Sequence, residues 1–350
     1  MSAESAGAPG GPVLVTGGTG FLGREIVRLL AARGVEVHVL ARNGSPRGPL
    51  SAQPVTWHES DLRDANGVER ALEAVAARAR ERGSRARIVH GAALISYRTR
   101  DRELARTTNV EGTEILLAAA RRTGVGRFLH VSSVVTVGSS RDGQPVDESA
   151  PFDLGGLGVD YVDTKRAAEE RVLAAARDLD ALVVNPGAIF GPVERESNTV
   201  RTIRRVAQGR SPPFLPPGSV GVVGVRDVAE GTLLALEKGR RGERYLLVES
   251  NLTTRELMAT IARILAVPPR GRVLALPAWR TLIAATQAWD RFFPMRYTPP
   301  QALTMLGIDL RFDSGKARRE LGWNPQPFDV VIRETIEHLR ARGELEGDGS

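Results

Sequence analysis

VLVTGGTGFLG, residues 13–23, joins a short apolar run to a turn rich in glycine. The apolar run predicts a buried strand, and apolar residues recur at helical spacing from Ile26 to Leu30, which predicts a helix ended by Gly34. A glycine turn between a strand and a helix directs backbone N–H groups at the helix N-terminus towards a pyrophosphate. The stretch therefore predicts a dinucleotide site, with contacts at Thr16, Gly17, Thr19, Gly20, Phe21, Leu22 and Gly23.

Outward from this stretch, strand-like and helix-like segments alternate through the first half of the chain. Strands are predicted at 35–40, 55–58, 88–90, 127–132 and 181–184, and further helices at 109–120 and 165–176. Strand and helix in strict rotation indicate a parallel sheet covered on both faces. The predicted fold class is therefore α/β, a doubly wound Rossmann sheet.

After Pro186 the pattern loosens, which predicts a smaller substrate lobe interleaved with the sheet. Residues 211–218 are expected to be irregular, because prolines propagate neither helix nor sheet. The rest of the chain has predicted helices at 228–236, 254–265 and 330–339, and a strand at 245–248. We expect residues 12–185, with 225–247 returning to them, to form the dinucleotide-binding domain, residues 186–224 and 248–340 the substrate lobe, residues 1–11 a disordered leader and 341–350 a frayed tail.

The composition excludes several classes of protein. The chain has 350 residues and no cysteine, which excludes disulfides, iron–sulfur clusters and thiolate metal sites, and its five histidines lack the spacing of a zinc site, so no metal is predicted. The net charge is +7, but arginine and glutamate alternate as on a solvated surface, and no basic run is interleaved with aromatics. Nucleic acid is therefore not an expected partner.

The sequence predicts a cytoplasmic protein without a membrane span. The first residues lack the basic and apolar regions of a signal peptide. The most apolar late segment, 273–294, is interrupted by Arg280, Asp290 and Arg291. We therefore expect a core helix there in preference to a segment that touches a membrane surface.

Lysine is rare in this chain, which has 48 basic side chains but only three lysines, and one of them, Lys165, follows Tyr161 by four residues. Residues four apart share a helix face, so both can point at one bound molecule. A nearby ammonium favours the phenolate, which would lower the pKa of Tyr161 towards neutrality and suit it to acid–base catalysis. Ser132 and Ser133 end the preceding strand, where a hydroxyl can hydrogen-bond a substrate oxygen.

The end of the second predicted strand indicates which nicotinamide is bound. A carboxylate there would accept the ribose hydroxyls of NAD, whereas an arginine suits the extra phosphate of NADP. The chain has Ala41-Arg42 and no acid at this point. NADP(H) is therefore favoured, with NAD(H) as the alternative, and Asp61-Leu62 after the third strand is expected near the adenine.

From about Val13 to about Leu339 the chain resembles the extended short-chain dehydrogenases/reductases of the epimerase/dehydratase kind. The resemblance is carried, in order, by TGGTGFLG (16–23), SDL (60–62), HGAA (90–93), NVEGT (109–113), VSSVVTVG (131–138), YVDTK (161–165), NPGAIFGP (185–192), VRDVAEG (225–231) and KARRELGW (316–323). It implies catalytic roles for Ser133, Tyr161 and Lys165, with Ser132 as the nearby alternative to Ser133. It further implies cofactor contacts at Ala92, Ala93, Asn109, Lys165 and Pro186, although packing is an equal expectation for His90 and Asn109, and it implies a homodimer.

Within the family the motifs look most like those of dihydroflavonol-4-reductase, 3β-hydroxysteroid dehydrogenase and the hopanoid-associated sugar epimerases. We predict a reductase that interconverts a ketone and a secondary alcohol on a lipid-like or polycyclic molecule, with Tyr97, Ser133, Phe190 and Phe214 at the substrate. One alternative is a nucleotide-sugar epimerase or dehydratase that retains NAD tightly. Another is a protein that senses NADP(H) without catalysis.

Overall fold

A parallel sheet of seven strands lies at the centre of the protein, as the alternating pattern predicts. The computed structural model describes residues 10–192, 198–290, 292–293 and 299–345, so the predicted disordered leader (1–11) and frayed tail (341–350) lie largely outside the described residues. The strands are β1 (Val13–Thr16), β2 (Val37–Ala41), β3 (Val55–Glu59), β4 (Arg87–His90), β5 (Arg127–Val131), β6 (Ala181–Pro186), β7 (Ala188–Phe190), β8 (Phe214–Leu215), β9 (Ser219–Gly224), β10 (Arg244–Leu247), β11 (Ser250–Thr253) and β12 (Arg272–Val273). The helices are α1 (Phe21–Ala32), α2 (Ala65–Glu81), α3 (Arg102–Arg106), α4 (Gly112–Thr123), α5 (Asp160–Ala175), α6 (Asn198–Ala207), α7 (Val225–Lys238), α8 (Thr254–Leu265), α9 (Leu276–Asp290), α10 (Pro300–Leu306) and α11 (Phe328–Ala341).

The order of strands in the main sheet creates the crevice in which the site lies. The order is β10-β6-β5-β4-β1-β2-β3, and every neighbouring pair is parallel. The chain proceeds from β1 to one edge through β2 and β3, and then crosses to the other side of β1 for β4. Ligands of such sheets bind at the carboxyl ends of the strands, where the order reverses.

Side chains that alternate along the strands give the sheet an apolar layer on each face. Val13 and Val15 join one core cluster, while Leu14 of the same strand joins the other. Helices α1 and α7 cover the first face, and α2, α4 and α5 cover the second. Parallel strands buried in this way are rich in apolar residues throughout, which is why short runs of sequence predict them.

A second lobe follows β6, with a three-stranded sheet in the order β11-β9-β7 and a two-stranded sheet of β12 and β8. Its core is formed by residues of β7, α6, α8 and α11. Helix α8 begins with a capping box: Thr253 Oγ1 accepts from Glu256 N at 3.2 Å, and Glu256 accepts from Thr253 N at 2.8 Å. The prediction that 211–218 is irregular throughout is wrong, because the non-proline pair Phe214 and Leu215 forms β8 beside β12.

Two helices differ from the sequence-based expectation. Helix α5 begins at Asp160 and not at Lys165, so Tyr161 and Lys165 lie on the same helix. A helix does form within 273–294, but the prediction that it belongs to the core is wrong. Trp279 is the one buried residue of α9, and most of the others are exposed. Within the described residues, no helix combines the length and the apolar character needed to cross a membrane.

Candidate active site

The glycine turn between β1 and α1 leaves no space for larger residues. Gly17 has φ +73°, and a Cβ there would lie 2.7 Å from the backbone nitrogen of Ala92. A Cβ on Gly23 would lie 2.0 Å from the carbonyl oxygen of Gly17. Gly20, the residue before α1, caps the helix with no side chain, so the first N–H groups of α1 remain able to bind an anion. The turn therefore fits a pyrophosphate.

A buried chain of hydrogen bonds joins the ends of β1 and β4. Thr113 Oγ1 donates to the Asn109 carbonyl at 2.6 Å, so it accepts from His90 Nε2 at 2.9 Å. This leaves His90 Nδ1 to accept from Thr16 Oγ1 at 2.7 Å, and Thr16 in turn accepts from Ala92 N at 3.1 Å. Burial lowers the pKa of His90 to about 3, so the ring is neutral. His90 therefore has a structural role: its hydrogen bonds hold the ends of β1 and β4 and the start of α4 together.

Asn109 lies in a π-helical turn, residues 107–111, just before α4. Its Oδ1 accepts from Leu94 N at 2.7 Å, and its Nδ2 donates to Leu94 O at 3.0 Å and to Thr164 Oγ1 at 3.2 Å. The amide therefore holds the loop after β4 against α5. Its role towards a cofactor stays a prediction, as do those of the partly buried Ala93 and the buried Pro186 at the end of β6.

Tyr161 is buried at the carboxyl edge of the sheet, and Ser133 lies close enough to lower the pKa of its phenol. Ser132 points elsewhere, with its hydroxyl 3.5 Å from that of Thr136. Tyr97 packs edge-on against Tyr161, with 5.5 Å between ring centroids. Other apolar side chains, from the segment after β5 and from α10, complete the cluster around the phenol. The structure therefore brings Ser133, Tyr97 and Tyr161 together.

Lys165 lies one helical turn after Tyr161 and is buried. Its ammonium donates to the Val131 carbonyl at 2.9 Å. Burial lowers the pKa of Lys165 to about 8, while the charge of Glu169 raises it. The expected lowering of the Tyr161 pKa is not found: burial raises that pKa, and the hydrogen bond from Ser133 opposes the rise. Desolvation of the phenolate outweighs any attraction to the ammonium here.

Glu169, one turn further along α5, is the centre of a buried polar cluster that the sequence analysis did not predict. It is fully buried, accepts from Asn185 Nδ2 at 2.7 Å and from Thr136 Oγ1 at 2.5 Å, and pairs with Arg244 at 3.0 Å. Asn185 also donates to the Ser133 carbonyl at 3.1 Å. The spacing of four residues between Lys165 and Glu169 was the available signal.

A cavity of about 300 Å³ lies beyond the ends of β2 and β3 and contains the predicted Arg42. Arg47 is stacked over Trp57 at 4.7 Å and paired with Glu59 at 2.7 Å. The sequence analysis missed these three residues; Glu59 enters because it is opposite Ala41 in the register of β2 and β3. The two arginines and one glutamate leave the cavity with excess positive charge.

The residues predicted near the adenine have other partners. Asp61 accepts from Arg63 Nε at 2.9 Å and Nη2 at 2.9 Å, and these hydrogen bonds hold the pKa of Asp61 at about 2. Leu62 is buried against Gly112. Asp61 is therefore ionised, and Leu62 is held by the start of α4.

The residues predicted at the substrate are not all near Tyr161. Phe190 is buried in the core of the second lobe, with its ring 4.9 Å from that of Phe328. Phe214 is the exposed residue of β8, whose other residue is buried. Tyr97 and Ser133 are thus the predicted substrate residues that contact the phenol, and the other two roles stay predictions.

Comparisons with known proteins identify the family of this chain. The model of the NAD dependent epimerase/dehydratase family matches residues 13–247. The sterol demethylase protein B of Methylococcus capsulatus is 37% identical over 94% of this chain and 98% of its own length. The 4-hydroxy-2-methyl-3-oxo-4-farnesyl-3,4-dihydroquinoline-1-oxide ketoreductase of Stigmatella aurantiaca is 31% identical over 94% of this chain and 96% of its own.

A solved structure shares the fold and contains a nicotinamide cofactor. The Thermus thermophilus UDP-glucose 4-epimerase in complex with NAD is 26% identical, with a TM-score of 0.73 over 94% of this chain and 99% of that protein. The match of the family model covers more than half of this chain, and two relatives exceed 30% identity across almost all of it. The chain therefore belongs to the NAD-dependent epimerase/dehydratase family and is an NAD(P)-dependent oxidoreductase of the extended short-chain dehydrogenase/reductase type.

Proposed function

We propose that this enzyme uses NADP(H) to interconvert a ketone and a secondary alcohol on a lipid-like or polycyclic substrate. The observation that carries the proposal is a buried Tyr161 that lies beside Ser133 within an apolar cluster. The hydroxyl groups of a nucleotide sugar would need polar partners beside the reacting carbon, whereas the residues around the phenol are mostly apolar. The ketoreductase of Stigmatella aurantiaca has a farnesyl group in the name of its substrate, which supports the same substrate class.

Each residue of the proposed mechanism has a defined task. When bound, the nicotinamide supplies the hydride for reduction or accepts it for oxidation. Ser133 donates a hydrogen bond to the carbonyl oxygen and orients it, and Tyr161 gives its proton to that oxygen as negative charge develops. The Lys165 ammonium, 2.9 Å from the Val131 carbonyl, stabilises the phenolate that remains. The apolar neighbours exclude water from the transfer.

The cavity beyond β2 and β3 supports the choice of NADP(H). Arg42 lines it, and no acid lies between Ala41 and Arg47 in the sequence. Glu59 is the one acid among the described residues that line it, and Arg47 offsets the charge of Glu59 through their ion pair. An additional phosphate would therefore meet net positive charge here. The glycine turn beside α1 would hold the pyrophosphate, and residues 186–224 and 248–340 would supply the substrate lobe.

Changing Tyr161 to Phe tests the catalytic proposal. The phenyl ring keeps the packing against Tyr97 but has no proton to donate, so kcat should fall by roughly a thousandfold. Turnover would be followed by nicotinamide absorbance with sterol, flavonoid, acyl and sugar ketones, and NADPH binding by fluorescence should be unchanged. Tyr245→Phe is the control, because Tyr245 contacts Glu320 away from the site. Full turnover by Tyr161→Phe would refute the mechanism.

Changing Arg42 to Ala tests the cofactor preference. Loss of a cation facing a phosphate should raise the Kd for NADPH roughly tenfold or more and leave the Kd for NADH nearly unchanged. Both values would come from calorimetric titration. Arg82→Ala is the control, since Arg82 pairs with Glu36 at the opposite end of the sheet. Equal losses for both cofactors would exclude a phosphate contact by Arg42.

One observation favours a second candidate, a nucleotide-sugar epimerase or dehydratase with tightly held NAD. Glu59 in the cavity could accept the ribose hydroxyls of NAD if its pair with Arg47 opened. The relative from Thermus thermophilus is such an epimerase in complex with NAD. NAD that remains with the protein through purification, together with conversion of a sugar nucleotide, would establish this candidate in place of the reductase.

A further inference from the structure

Helix α9 is mostly apolar around its circumference, yet it lies on the surface. Apart from Trp279, which is buried, and Ile283, Thr286 and Asp290, which are partly buried, all its residues are exposed. Of the aromatic side chains at and after its end, Trp289 is 60% exposed, Phe292 76% and Phe293 60%. Single exposed apolar residues are normal, but an apolar helix with its aromatics in water indicates a surface that another body covers.

The attachment of α9 to the protein is narrow. The helix packs against α10, where Trp279 Nε1 donates to the Leu303 carbonyl at 3.1 Å and the indole contacts Gly307. One indole therefore anchors the helix and leaves most of its remaining surface outward. The Trp289 and Phe293 rings contact each other, with centroids 4.9 Å apart, and form an aromatic end to this surface.

The segment that leads into α9 also exposes apolar side chains, on the small sheet of β8 and β12. Phe214 of β8 is 54% exposed and lies opposite Arg272 in the parallel register, next to the exposed Val273. We call this combined region the α9 surface. Its main apolar residues are Phe214, Leu276, Leu282, Trp289, Phe292 and Phe293.

The charged residues of the chain segment that forms the α9 surface are mainly positive. Arg270, Arg272 and Arg280 are exposed, and Asp290 is the one acid between Ala266 and Phe293 in the sequence. An apolar surface bordered by arginines is complementary to a bilayer with anionic headgroups, because the rings enter the acyl boundary while the guanidinium groups stay at the phosphates. A second copy of this cationic surface would repel the first.

We infer that the α9 surface docks the enzyme on anionic lipid bilayers. The helix has 15 residues, which is about 22 Å at 1.5 Å per residue and less than the roughly 30 Å of a hydrocarbon core. It therefore lies in the plane of the interface, with Trp289, Phe292 and Phe293 inserted and Arg272 and Arg280 at the headgroups. No part of the chain needs to cross the bilayer for this contact.

The docked surface is connected to the catalytic helix. In α10, Gln301 donates to Asp160 Oδ2 at 2.7 Å and accepts from Asp160 N at 3.1 Å, and Asp160 precedes Tyr161. Lipid contact at α9 would thus link the bilayer, as the source of a lipid-like ketone, through α10 to the helix that carries Tyr161. This last step rests on the proposed function, whereas docking itself requires no turnover.

Vesicle co-sedimentation tests the inference with the full chain and no substrate. Vesicles of phosphatidylcholine with about 30 mol % phosphatidylglycerol should bind the protein at least tenfold more tightly than pure phosphatidylcholine. The triple variant Trp289→Gln, Phe292→Gln, Phe293→Gln should lose roughly tenfold or more of that binding, because three inserted rings are replaced by polar groups. Val330→Gln, an exposed apolar residue on α11, is the matched control and should bind like the unmodified protein.

Charge-reversal variants distinguish docking on anionic lipid from nonspecific hydrophobic adsorption. The double variant Arg272→Glu, Arg280→Glu should weaken binding by about fivefold or more per arginine, while the exposed Arg340→Glu on α11 should not. Retained NADPH binding and an unchanged Tm would show that each variant is folded. Binding of the unmodified protein that is absent, independent of phosphatidylglycerol, or equal in the triple variant would overturn the inference.

Two further measurements test whether a second copy of the chain covers the α9 surface, and whether docking can be judged separately from the proposed reductase activity. If the α9 surface paired two copies of the chain, sedimentation velocity would detect a dimer, and the triple variant would be monomeric. Such a dimer together with no vesicle binding would also overturn the inference. Because vesicle binding is scored without a substrate, an inactive enzyme that still docks would contradict the proposed function alone. An active enzyme that ignores vesicles would contradict docking alone.

Discussion

At the scale of single residues, burial acts in opposite directions on the two groups of the proposed proton transfer. It raises the pKa of Tyr161 and lowers that of Lys165 to about 8. Both shifts favour the neutral form of the group, since charge is costly away from water. At neutral pH the phenol therefore keeps its proton and the amine is still mainly an ammonium. This is the combination that ketone reduction requires, because Tyr161 must begin as the acid.

The pH dependence of the reaction follows from the lowered pKa of Lys165. As pH rises through about 8 the ammonium loses its charge, so kcat/KM for reduction should fall on the alkaline side. Lys165→Met should lower kcat/KM roughly 100-fold and remove this alkaline inflection. Lys238→Met is the control, because Lys238 is an exposed lysine on α7. An inflection near pH 8 that persists in Lys165→Met would assign it to another group.

At the scale of elements, α5 joins the side chains of the proposed proton transfer to a buried charge. Tyr161, Lys165 and Glu169 succeed each other at one-turn spacing, and Glu169 connects the helix to the loop after β5 through Thr136 and to β6 through Asn185. Because Asn185 also donates to the Ser133 carbonyl, the same cluster fixes the position of the serine. Helix, loop and strand are thus held in one arrangement by buried polar groups.

Changing Glu169 to Gln should weaken this arrangement in two measurable ways. Arg244 loses its buried partner, so the free energy of unfolding should fall by about 3 kcal/mol in chemical denaturation. The charge of Glu169 raises the Lys165 pKa, so its removal should move the alkaline limb of the kcat/KM profile to lower pH. Glu170→Gln is the matched control, because Glu170 pairs with Arg166 on the exposed side of α5 and should cost less than 1 kcal/mol.

These two readouts distinguish positioning from general stability. A purely structural role for Glu169 would change the unfolding free energy and leave the pH profile where it was. An unchanged profile together with an unchanged unfolding free energy would show that the cluster has neither role.

At the scale of the whole molecule, contacts in series connect the surface to the sheet. Trp279 fixes α9 to α10, and Gln301 of α10 binds Asp160, which also accepts from Arg102 Nε at 2.6 Å. Asp160 begins the helix that carries Tyr161. The C-terminal part of the chain thereby closes over the apolar cluster beside the phenol. A displacement of α9 would therefore be transmitted to the helix that carries Tyr161 through α10.

Changing Trp279 to Ala should release α9 without unfolding the sheet. The helix has no other buried side chain, so the free energy of its local opening should fall. Limited proteolysis within 276–290 should therefore become roughly tenfold faster or more. NADPH affinity should be unchanged, because the cofactor turn lies at β1. Trp289→Ala on the same helix is the control, since its ring is exposed and contacts Phe293, which follows α9. Equal cleavage rates in both variants would mean that Trp279 does not hold the helix.

The elements of this protein were largely predictable from local sequence. The glycine turn, the strands of the main sheet and the residues of α8 depend on neighbours within a few positions, such as the capping pair Thr253 and Glu256. The pairing of Tyr161 with Lys165 was equally readable, because helical spacing alone brings residues four apart to one face. Gly17 and Gly23 were recognisable for the same reason, since the turn they form is continuous in the chain.

The tertiary structure decided everything that depends on which distant segments meet. Sequence alone did not indicate that Glu59 enters the Arg42 cavity, because that position follows from the register of β2 with β3. Whether Tyr161 or Lys165 keeps its ordinary pKa depends on how much water surrounds it, which only packing determines. Helix α9 is a further example. Its apolar residues predicted a buried helix, but it is exposed because no other element among the described residues covers it. Local pattern thus determined the elements, and long-range contact determined their burial, charge and partners.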